Sequence, residues 1–481
     1  MDQREFRFEE EKCFDRSAAE TVVSPAKVTG AFERYRLAVP EQQVARMLLG
    51  RAPFSRQGPL SAWVVTWLMI FQRLDGKGTL SAAVRHLLTA PVRELVLWPE
   101  GAHTLPLSAN TSAYSQARCK LPLEVAEQVS ELLFESLQQQ QPRTLPGLER
   151  PVFLLDGSTI LLAYSPELAR SYPPPRNQHG ASHWPVMRVL VAHDVVSGLA
   201  APPCWGPMDG PQAVSEQGLA KDIMSRLPPG CGAMGDRNFG VFSMAYHATQ
   251  QNHPVLFRLT EARARKLNGG GIAPPAKTDR AILWSPSRED LRNNPEIPAS
   301  ASVAGRLLAF KVRDAHAKWQ KLYFFTTFTL PPEQILRVYG YRWNIETDLR
   351  SLKREVRLHM LDVKSPDMAG KELVLGVAAY NLTRAAMNEA ASALHLDPRQ
   401  FSFSMAQDTI QAFLPVFAQA RSDEERRKIM QEMLRVFSYS MLPHRHKRRS
   451  APREIWPRPC SFPKRKLANH GGARKSRKGV A

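Results

Sequence analysis

Apolar residues recur at helical spacing over the first part of the chain. Residues 60–74 are the most apolar of these positions and predict a buried helix, and Pro40 divides the helical pattern of residues 31–49 into two parts. A mostly helical N-terminal domain is therefore predicted over residues 29–140. The polar residues 1–28 before it predict a flexible N-terminus.

The pattern changes after a polar linker, where short apolar runs begin to alternate with helical segments. Strands that alternate with helices are typical of an α/β domain with a mixed sheet. We expect residues 150–260 and 320–390 to form this domain, with a β-rich insertion at residues 260–320. A helical region at residues 391–440 and a basic, disordered tail at residues 441–481 follow. The predicted strands are residues 152–155, 187–196, 198–204, 232–235, 255–259 and 321–328.

Four polar side chains share one face of a helix predicted at residues 338–358. They are separated by steps of 3, 4 and 7 residues, which return to nearly the same direction at about 100° per residue. The apolar residues of the segment lie on a different face and can anchor the helix to a core. A carboxylate flanked by two cations suggests a site at which a metal ion meets a polyanion. The four residues are Tyr339, Arg342, Glu346 and Lys353.

The charge balance indicates a polyanionic partner such as nucleic acid. The 481 residues carry a net charge of +20, and thirteen Lys or Arg against one Glu lie between Arg445 and Lys478. Arginines on the predicted N-terminal helices make DNA binding by that domain a further hypothesis, with solvated helix faces as the alternative. These arginines are Arg34, Arg36, Arg46, Arg51, Arg56, Arg73, Arg85 and Arg118.

Neither the cysteines nor the apolar runs indicate secretion or a membrane. The five cysteines are scattered and form no Cys-x-x-Cys pair, which favours a reducing compartment and argues against a zinc site. The N-terminus has no apolar signal segment, and the longest apolar run, residues 62–71, is too short to span a bilayer. We therefore expect a cytoplasmic protein without membrane contact.

Three carboxylates are candidates for a metal site. Asp156 and Asp236 each follow an apolar run and are predicted at the carboxyl ends of strands, and Glu346 lies on the helix described above. Oxygen ligands from a sheet and an adjacent helix suit Mg²⁺ or Mn²⁺, which prefer carboxylates to His or Cys. Two such ions about 3.5–4 Å apart stabilise the attacking and leaving oxygens of a phosphoryl transfer. The pattern therefore predicts a two-metal site.

The other polar residues on the helix face fit roles beside a DNA strand. Arg342 and Lys353 are expected to contact phosphate oxygens, and Tyr339 to position the strand or stack on it. An ordinary ion pair between Arg342 and Glu346 on a solvated helix is the alternative. The two aspartates have an alternative as well, because an Asp before Gly or before Arg-Asn is also a common turn or cap residue.

Other acidic and histidine residues fit the site less well. Asp194 ends a similar strand and is the main rival of Asp156 and Asp236, but the Val-Val-Ser-Gly sequence after it favours a hairpin. Asp348 points away from the polar helix face and is expected to be solvated. The nearby histidines lack a metal-binding context and are expected to be structural. They are His179, His183 and His193.

The spacing Tyr-x2-Arg-x3-Glu-x6-Lys from Tyr339 to Lys353 resembles the signature of the bacterial insertion-sequence-four (IS-four) transposases. Residues 156–158, Asp-Gly-Ser, resemble the first aspartate motif of this family, and residues 236–239, Asp-Arg-Asn-Phe, resemble the second. Residues 115–118 resemble a helix of its N-terminal region. The two aspartate motifs and the four-residue signature occur in the order that the family has.

The resemblance implies a ribonuclease-H-like catalytic core with a β insertion between the second Asp and the Glu. It implies metal-dependent cleavage at the end of an insertion sequence and attack of the freed 3′-OH on target DNA, by a dimer on paired ends. Asp156, Asp236 and Glu346 would be the catalytic and metal-binding residues. Arg237, beside the second aspartate, is expected to contact DNA. Trp284 is the candidate, by position, for an insertion-domain Trp that stacks on a flipped base, with an ordinary core Trp as the alternative.

The resemblance covers about residues 30–390, and one departure lies inside it. The family often has Gly where this chain has Asn238, although Asn also tolerates left-handed backbone angles. A transposase would be expected at the bacterial nucleoid. Two other functions stay open, namely a catalytically silent, transposase-derived DNA-binding protein and a stand-alone metal-dependent nuclease.

Overall fold

The structure of the protein is a computed structural model. The described residues are 30–49, 60–76, 78–88, 108–140, 144–177, 180–313 and 319–442. The predicted flexible N-terminus at residues 1–28 and all but the first two residues of the tail predicted at 441–481 lie outside them, as do Arg51, Arg56 and His179. No helix within the described ranges is both long and apolar enough to cross a bilayer.

The N-terminal helices follow the apolar pattern of the sequence. In the described part of this region they are α1 (Ala31–Ala38), α2 (Glu41–Met47), α3 (Ala62–Leu74), α4 (Leu80–Leu88), α5 (Ser112–Lys120) and α6 (Leu123–Gln140). Pro40 precedes α2 and separates it from α1, as predicted. Because α3 is apolar on nearly all sides, eleven of its residues are buried.

A mixed sheet forms the centre of the α/β part. The described strands are β1 (Val152–Leu162), β2 (Arg176–Asn177), β3 (Gly180–Ala181), β4 (Val186–Asp194), β5 (Cys204–Pro207), β6 (Gly232–Gly235), β7 (Val255–Leu259), β8 (Thr278–Trp284), β9 (Val303–Arg313), β10 (Trp319–Thr326) and β11 (Met360–Leu361). Nine of these form one sheet in the order β5-β4-β1-β6-β7-β10-β9-β8, with β11 beside β1. Strands β1, β6 and β7 are parallel, whereas β4, β5, β8, β9 and β10 join by antiparallel pairs.

This architecture confirms the predicted fold class, an α/β protein with a mixed sheet and a helical N-terminal region. β8 and β9 lie within the predicted insertion, and they extend the central sheet through β10. The strands predicted at residues 232–235 and 255–259 coincide with β6 and β7. The strand predicted at residues 198–204 is wrong, because β5 begins only at Cys204.

Helices surround the sheet and continue to the end of the described chain. Those between the strands are α7 (Pro166–Ser171), α8 (Glu216–Met224), α9 (Phe242–Gln250), α10 (Glu261–Leu267) and α11 (Arg288–Asn293). Those that follow β10 are α12 (Pro332–Gly340), α13 (Asn344–Arg350), α14 (Pro366–Ala393), α15 (Phe403–Gln419) and α16 (Asp423–Tyr439).

α14 is the helix on which the rest of the fold packs. Its residues 368–391 are all buried, and α1, α3, α6, α15 and α16 lie against it. The helix carries charges into this interior, and each meets an opposite charge. Glu372 pairs with Arg73 of α3 and Arg118 of α5, and Glu389 pairs with Arg34 of α1. The N-terminal helices and much of the sheet therefore share one hydrophobic core.

These ion pairs correct the expected basic surface of the N-terminal helices. Arg34, Arg73 and Arg118 are largely buried and face carboxylates of α14, so they are not available to DNA. Arg36, Arg46 and Arg85 are exposed, as expected. The sequence pattern missed the difference because the acidic partners lie more than 250 residues away along the chain.

Replacing Glu372 with Gln should strongly destabilise the protein. The change leaves the guanidinium groups of Arg73 and Arg118 facing a neutral amide in a buried site. Breaking a buried pair in this way costs about 3–5 kcal/mol. Urea unfolding followed by circular dichroism measures the loss. Glu424→Gln is the matched control, because the Glu424–Lys428 pair has side chains that are 68% and 71% exposed, and exposed pairs contribute about 0–1 kcal/mol. Equal losses of stability for the two changes would contradict the conclusion that Glu372 forms a buried, stabilising ion pair.

Candidate active site

The parallel pairing of β1 and β6 brings two of the predicted carboxylates together. Phe153 pairs with Ala233 and Leu154 with Met234. The same register continued by two residues sets Asp156 beside Asp236, which directly follows β6. The charge of Asp236 acts on Asp156, which shows that the two carboxylates are close in space.

The position of Asp156 within β1 differs from the prediction. The expected strand end before Asp156 is wrong, because β1 continues to Leu162 and pairs with β4 along most of its length. On its other side β1 pairs with β6 at residues 152–154 and with β11 at residues 161–162. Asp156 therefore lies between the part of β1 that pairs with β6 and the part that pairs with β11, among the described strands. The Asp-Gly-Ser sequence resembles a turn, but the apolar residues after it continue the strand.

Burial raises the pKa of the Asp156 carboxyl to about 7, and the negative charge of Asp236 adds to this effect. A hydrogen bond of 2.9 Å from the Gly157 N–H to Oδ1 acts in the opposite direction. Asp236 does form a turn, since its Oδ1 accepts the Asn238 N–H at 2.8 Å. Asp236 can therefore form this turn and still lie close to Asp156. A role as a turn residue does not exclude a role in the predicted metal site.

The chain that carries the polar stripe is helical but is not one regular α-helix. α12 ends at Gly340, residues Tyr341–Trp343 form a 3₁₀ turn, α13 follows, and Ser351–Glu355 form a π-helix. The residues at these junctions have right-handed helical angles, so the chain continues in one direction. Local π-helix within a helix is common at functional sites.

Two side chains of the stripe connect this helical segment to β1. Lys353 Nζ donates to Ser158 Oγ at 3.2 Å. Arg342 lies 3.8 Å from Glu346 between Nη2 and Oε1, and its positive charge also acts on Asp156. The Arg342 and Glu346 side chains are only 18% and 29% exposed. The pair therefore faces the strand that bears Asp156 and is more enclosed than a pair on a solvated helix.

Glu346 is not gathered with both aspartates into one tight group. Within the described residues, no three His, Cys, Asp or Glu side chains lie close enough together to hold one metal ion. Arg342 supplies the positive charge nearest to Glu346 in this arrangement. The donor set nevertheless fits Mg²⁺ or Mn²⁺, because two close carboxylates, one with a raised pKa, are an oxygen-rich site that a divalent cation would stabilise.

Tyr339 lies in the core and not on an open polar face. Its side chain is only 5% exposed, and its ring meets Phe324 edge-on at 4.6 Å. Burial raises the pKa of the Tyr339 hydroxyl, which the charges of Arg342 and Arg258 oppose. The ring is therefore not open to a stacking base, and only its hydroxyl faces the charged groups of the site.

Asp348 is not solvated, contrary to the prediction. It is 1% exposed and pairs with Arg384 of α14 and with Arg399. This pairing anchors α13 only two residues from Glu346. The prediction failed because the two arginines follow Asp348 by 36 and 51 residues, beyond the reach of a helical pattern.

The predictions for Asp194 and His193 are confirmed. Asp194 is the turn residue of a hairpin, since its Oδ1 accepts the N–H groups of Val196 and Ser197 at 2.8 and 3.0 Å. His193 is buried, and burial lowers the pKa of its imidazole to about 4, so it is neutral and structural. His183 is exposed.

Among the residues predicted to contact DNA, Trp284 is a core residue. It is 8% exposed, and its ring packs edge-on against Phe242 and Phe325 at 5.9 and 4.8 Å. This packing favours the alternative interpretation of Trp284, that of an ordinary core residue. Arg237, in contrast, is exposed beside Asp236.

A different tryptophan has the properties expected of a stacking residue. Trp319, at the start of β10, is 55% exposed, and the cationic groups of Lys311 and Arg313 each lie 4.7 Å from its ring centroid. Trp319 was not among the predicted residues, because the strand predicted from the apolar pattern begins two residues later, at Lys321. The Lys-Val-Arg sequence at residues 311–313 could have indicated this site. Alternate residues of a strand point to the same face, so both cations lie on one side of it.

Comparison with known proteins identifies the class to which this fold belongs. Residues 147–382 match the family described as transposase DDE domain, and this part of the chain belongs to that family of transposases. It is similar to the transposase InsG for insertion sequence element IS4 of Escherichia coli (strain K12), with 22% identity over 321 residues, 64% of this chain and 68% of that protein. These matches confirm the family predicted from the sequence. The roles of the individual site residues stay predictions.

The raised pKa of Asp156 leads to a prediction about stability. The folded protein holds the Asp156 proton up to about pH 7, whereas an unfolded Asp releases it near its ordinary value of 3.8. Stability should therefore fall as pH rises between these two values, by about 1.4 kcal/mol per unit of pKa difference. Asp156→Asn removes this dependence and should raise the melting temperature at pH 8 far more than at pH 4.5.

Thermal unfolding in the presence of a chelator tests this difference. The exposed Asp222 of α8 provides the control variant Asp222→Asn, which removes one charge that does not belong to the pair of Asp156 and Asp236. The same stabilisation by Asp156→Asn at both pH values would contradict the electrostatic environment described here.

Proposed function

We propose that this protein is a DNA transposase that cuts DNA at the ends of an insertion sequence and joins the freed 3′-OH to target DNA. The observation that carries the proposal is the adjacency of Asp156 and Asp236, with the segment bearing Glu346 packed beside them, inside the matched transposase DDE domain. Double-stranded DNA is the proposed substrate, both as element end and as target.

Asp156, Asp236 and Glu346 would hold two Mg²⁺ or Mn²⁺ ions. When bound, such ions activate the attacking oxygen and stabilise the charge that develops on the leaving oxygen. Burial of Asp156 favours this role, because a carboxylate that is costly to ionise alone gains most from a cation. Glu346 would complete the site when Arg342 turns from the carboxylates to the DNA phosphate.

The cations around the carboxylates would orient the DNA backbone. Arg342 offers a planar, multiply donating group to a phosphate, whereas Lys353 offers a single charge fixed near β1 by its bond to Ser158. The exposed Arg237 lies next to Asp236 and would contact the strand there. Tyr339 would support these groups through its hydroxyl, since its ring is packed against Phe324. The assembly would contain two copies on paired ends, as the family resemblance implies.

Glu346→Gln should abolish cleavage of the cognate ends while leaving their binding intact. The amide keeps the size of the side chain but loses the negative charge that would bind a divalent ion. A gel assay of end cleavage with Mg²⁺ and then Mn²⁺, combined with fluorescence anisotropy of end binding, separates the two effects. Undiminished cleavage would refute the site. Binding without cleavage by the unmutated protein in both metals would favour a silent DNA-binding protein, and cleavage without strand transfer would favour a nuclease.

Trp319 should stack on a base displaced from the DNA end. Trp319→Ala should weaken this interaction by about 1–3 kcal/mol, the usual contribution of one base stacked on an aromatic ring. Trp319→Phe should retain most of it. The fluorescence of 2-aminopurine placed near the element end reports an unstacked base. Trp284→Ala is the comparison variant, and it should lower the melting temperature because Trp284 is buried. A full 2-aminopurine signal with Trp319→Ala would exclude the role.

A further inference from the structure

A fourth carboxylate lies beside the two aspartates. Glu216 is the first residue of α8, directly after Ser215, whose hydroxyl accepts the Gly218 N–H and begins the helix. The negative charge of Glu216 acts on Asp156 in the same sense as that of Asp236. No Lys, Arg or His in the described part of the chain forms an ion pair with Glu216. The carboxylate therefore adds uncompensated negative charge to the site.

The Glu216 side chain packs directly on the strand that bears Asp156. A Cβ placed on Gly157 would lie 2.4 Å from both Cδ and Oε1 of Glu216. Real Cβ atoms essentially never approach this closely, so a side chain at position 157 would displace the Glu216 carboxylate from this place. The glycine of the Asp-Gly-Ser motif thus has a packing reason beyond backbone freedom.

The other end of the Glu216 carboxylate meets the turn that follows Asp236. Asn238 Nδ2 donates to Glu216 Oε2 at 2.6 Å, and Gln217 Nε2 donates to the Asn238 carbonyl at 2.7 Å. The Asn238 N–H in turn donates to Asp236 Oδ1 at 2.8 Å. Asn238 is the residue that departs from the family pattern, and a Gly there would have no side-chain donor for this bond.

We propose that Glu216 is a positioning residue of the metal site, which holds the Asp236 turn against β1 through Asn238 and contributes a fourth negative charge toward the bound divalent ions. The proposal rests on the proposed two-metal function. Residues that orient the side chains bound directly to a metal commonly contribute 10–100-fold to metal affinity or activity. The arrangement connects Asp156 and Asp236 through two side chains of this chain and does not depend on Glu346.

Binding of Mn²⁺ to the full chain, followed by the electron paramagnetic resonance of free Mn²⁺, tests this role without any cleavage. Glu216→Gln removes the charge and should weaken Mn²⁺ binding roughly 10-fold. The double variant Glu216→Gln with Asn238→Asp reverses the polarity of the hydrogen bond and restores the charge, so it should recover most of the affinity. Gly157→Ala should weaken binding as well, because it displaces Glu216 and leaves every carboxylate in place.

Two controls separate positioning from a general effect on folding or charge. Glu131→Gln removes an exposed carboxylate of α6 and should leave Mn²⁺ affinity unchanged. Metal-free binding of the element ends should be the same for all variants. Cleavage should recover at high Mg²⁺ with Glu216→Gln but not with Glu346→Gln.

The outcomes also distinguish this inference from the proposed function. If the unmutated protein binds Mn²⁺ and cuts DNA while Glu216→Gln binds Mn²⁺ equally well, the role of Glu216 is refuted and the transposase assignment stands. A double variant no better than Glu216→Gln alone would likewise refute it. An unmutated chain that neither binds Mn²⁺ nor cuts the ends would overturn both.

Discussion

Charge neutralisation along α14 is the constraint on which the rest of the fold depends. This helix is buried over 24 residues, yet it carries Glu372, Arg384 and Glu389 into the interior. A buried charge is tolerated only when an opposite charge meets it. The partners come from α1, α3, α5 and α13, so each of these elements has one favourable position against α14. The active site inherits that geometry, because Asp348 anchors α13 two residues from Glu346.

In the candidate active site, by contrast, charges of the same sign lie together. Asp156, Asp236 and Glu216 bring like charges together, and the cations nearby, Arg342 and Lys353, do not neutralise them fully. Like charges held this close oppose folding, and such clusters are common where a protein binds a ligand of opposite charge. A divalent ion and a DNA phosphate together would supply that balance. The charges of the interior are compensated, whereas those at the candidate site are not, and this contrast separates the two groups of charges in the molecule.

Much of the fold could be predicted because it depends on local patterns. The helices on either side of Pro40, the strands β6 and β7 and the fold class all follow from apolar spacing within short windows. The failures share one cause. Asp348 and Arg73 were misplaced because their partners lie far along the chain. Periodicity describes which face a residue occupies but not what covers that face. Asp156 was placed at a strand end because its neighbours Gly and Ser resemble a turn, whereas pairing with β4 continues the strand.

The sequence by itself determined the family, the three candidate carboxylates and the polar stripe, because these depend on residue type and on spacing along one segment. Only the tertiary structure decided which charges are free. In the folded protein Tyr339 and Trp284 are buried, whereas Trp319 is exposed. Asp348 pairs with an arginine of α14, and Glu216 contacts Gly157 and Asn238. The physical reason is that solvation and charge pairing are properties of space. Residues separated by tens or hundreds of positions become neighbours only when the sheet and α14 assemble.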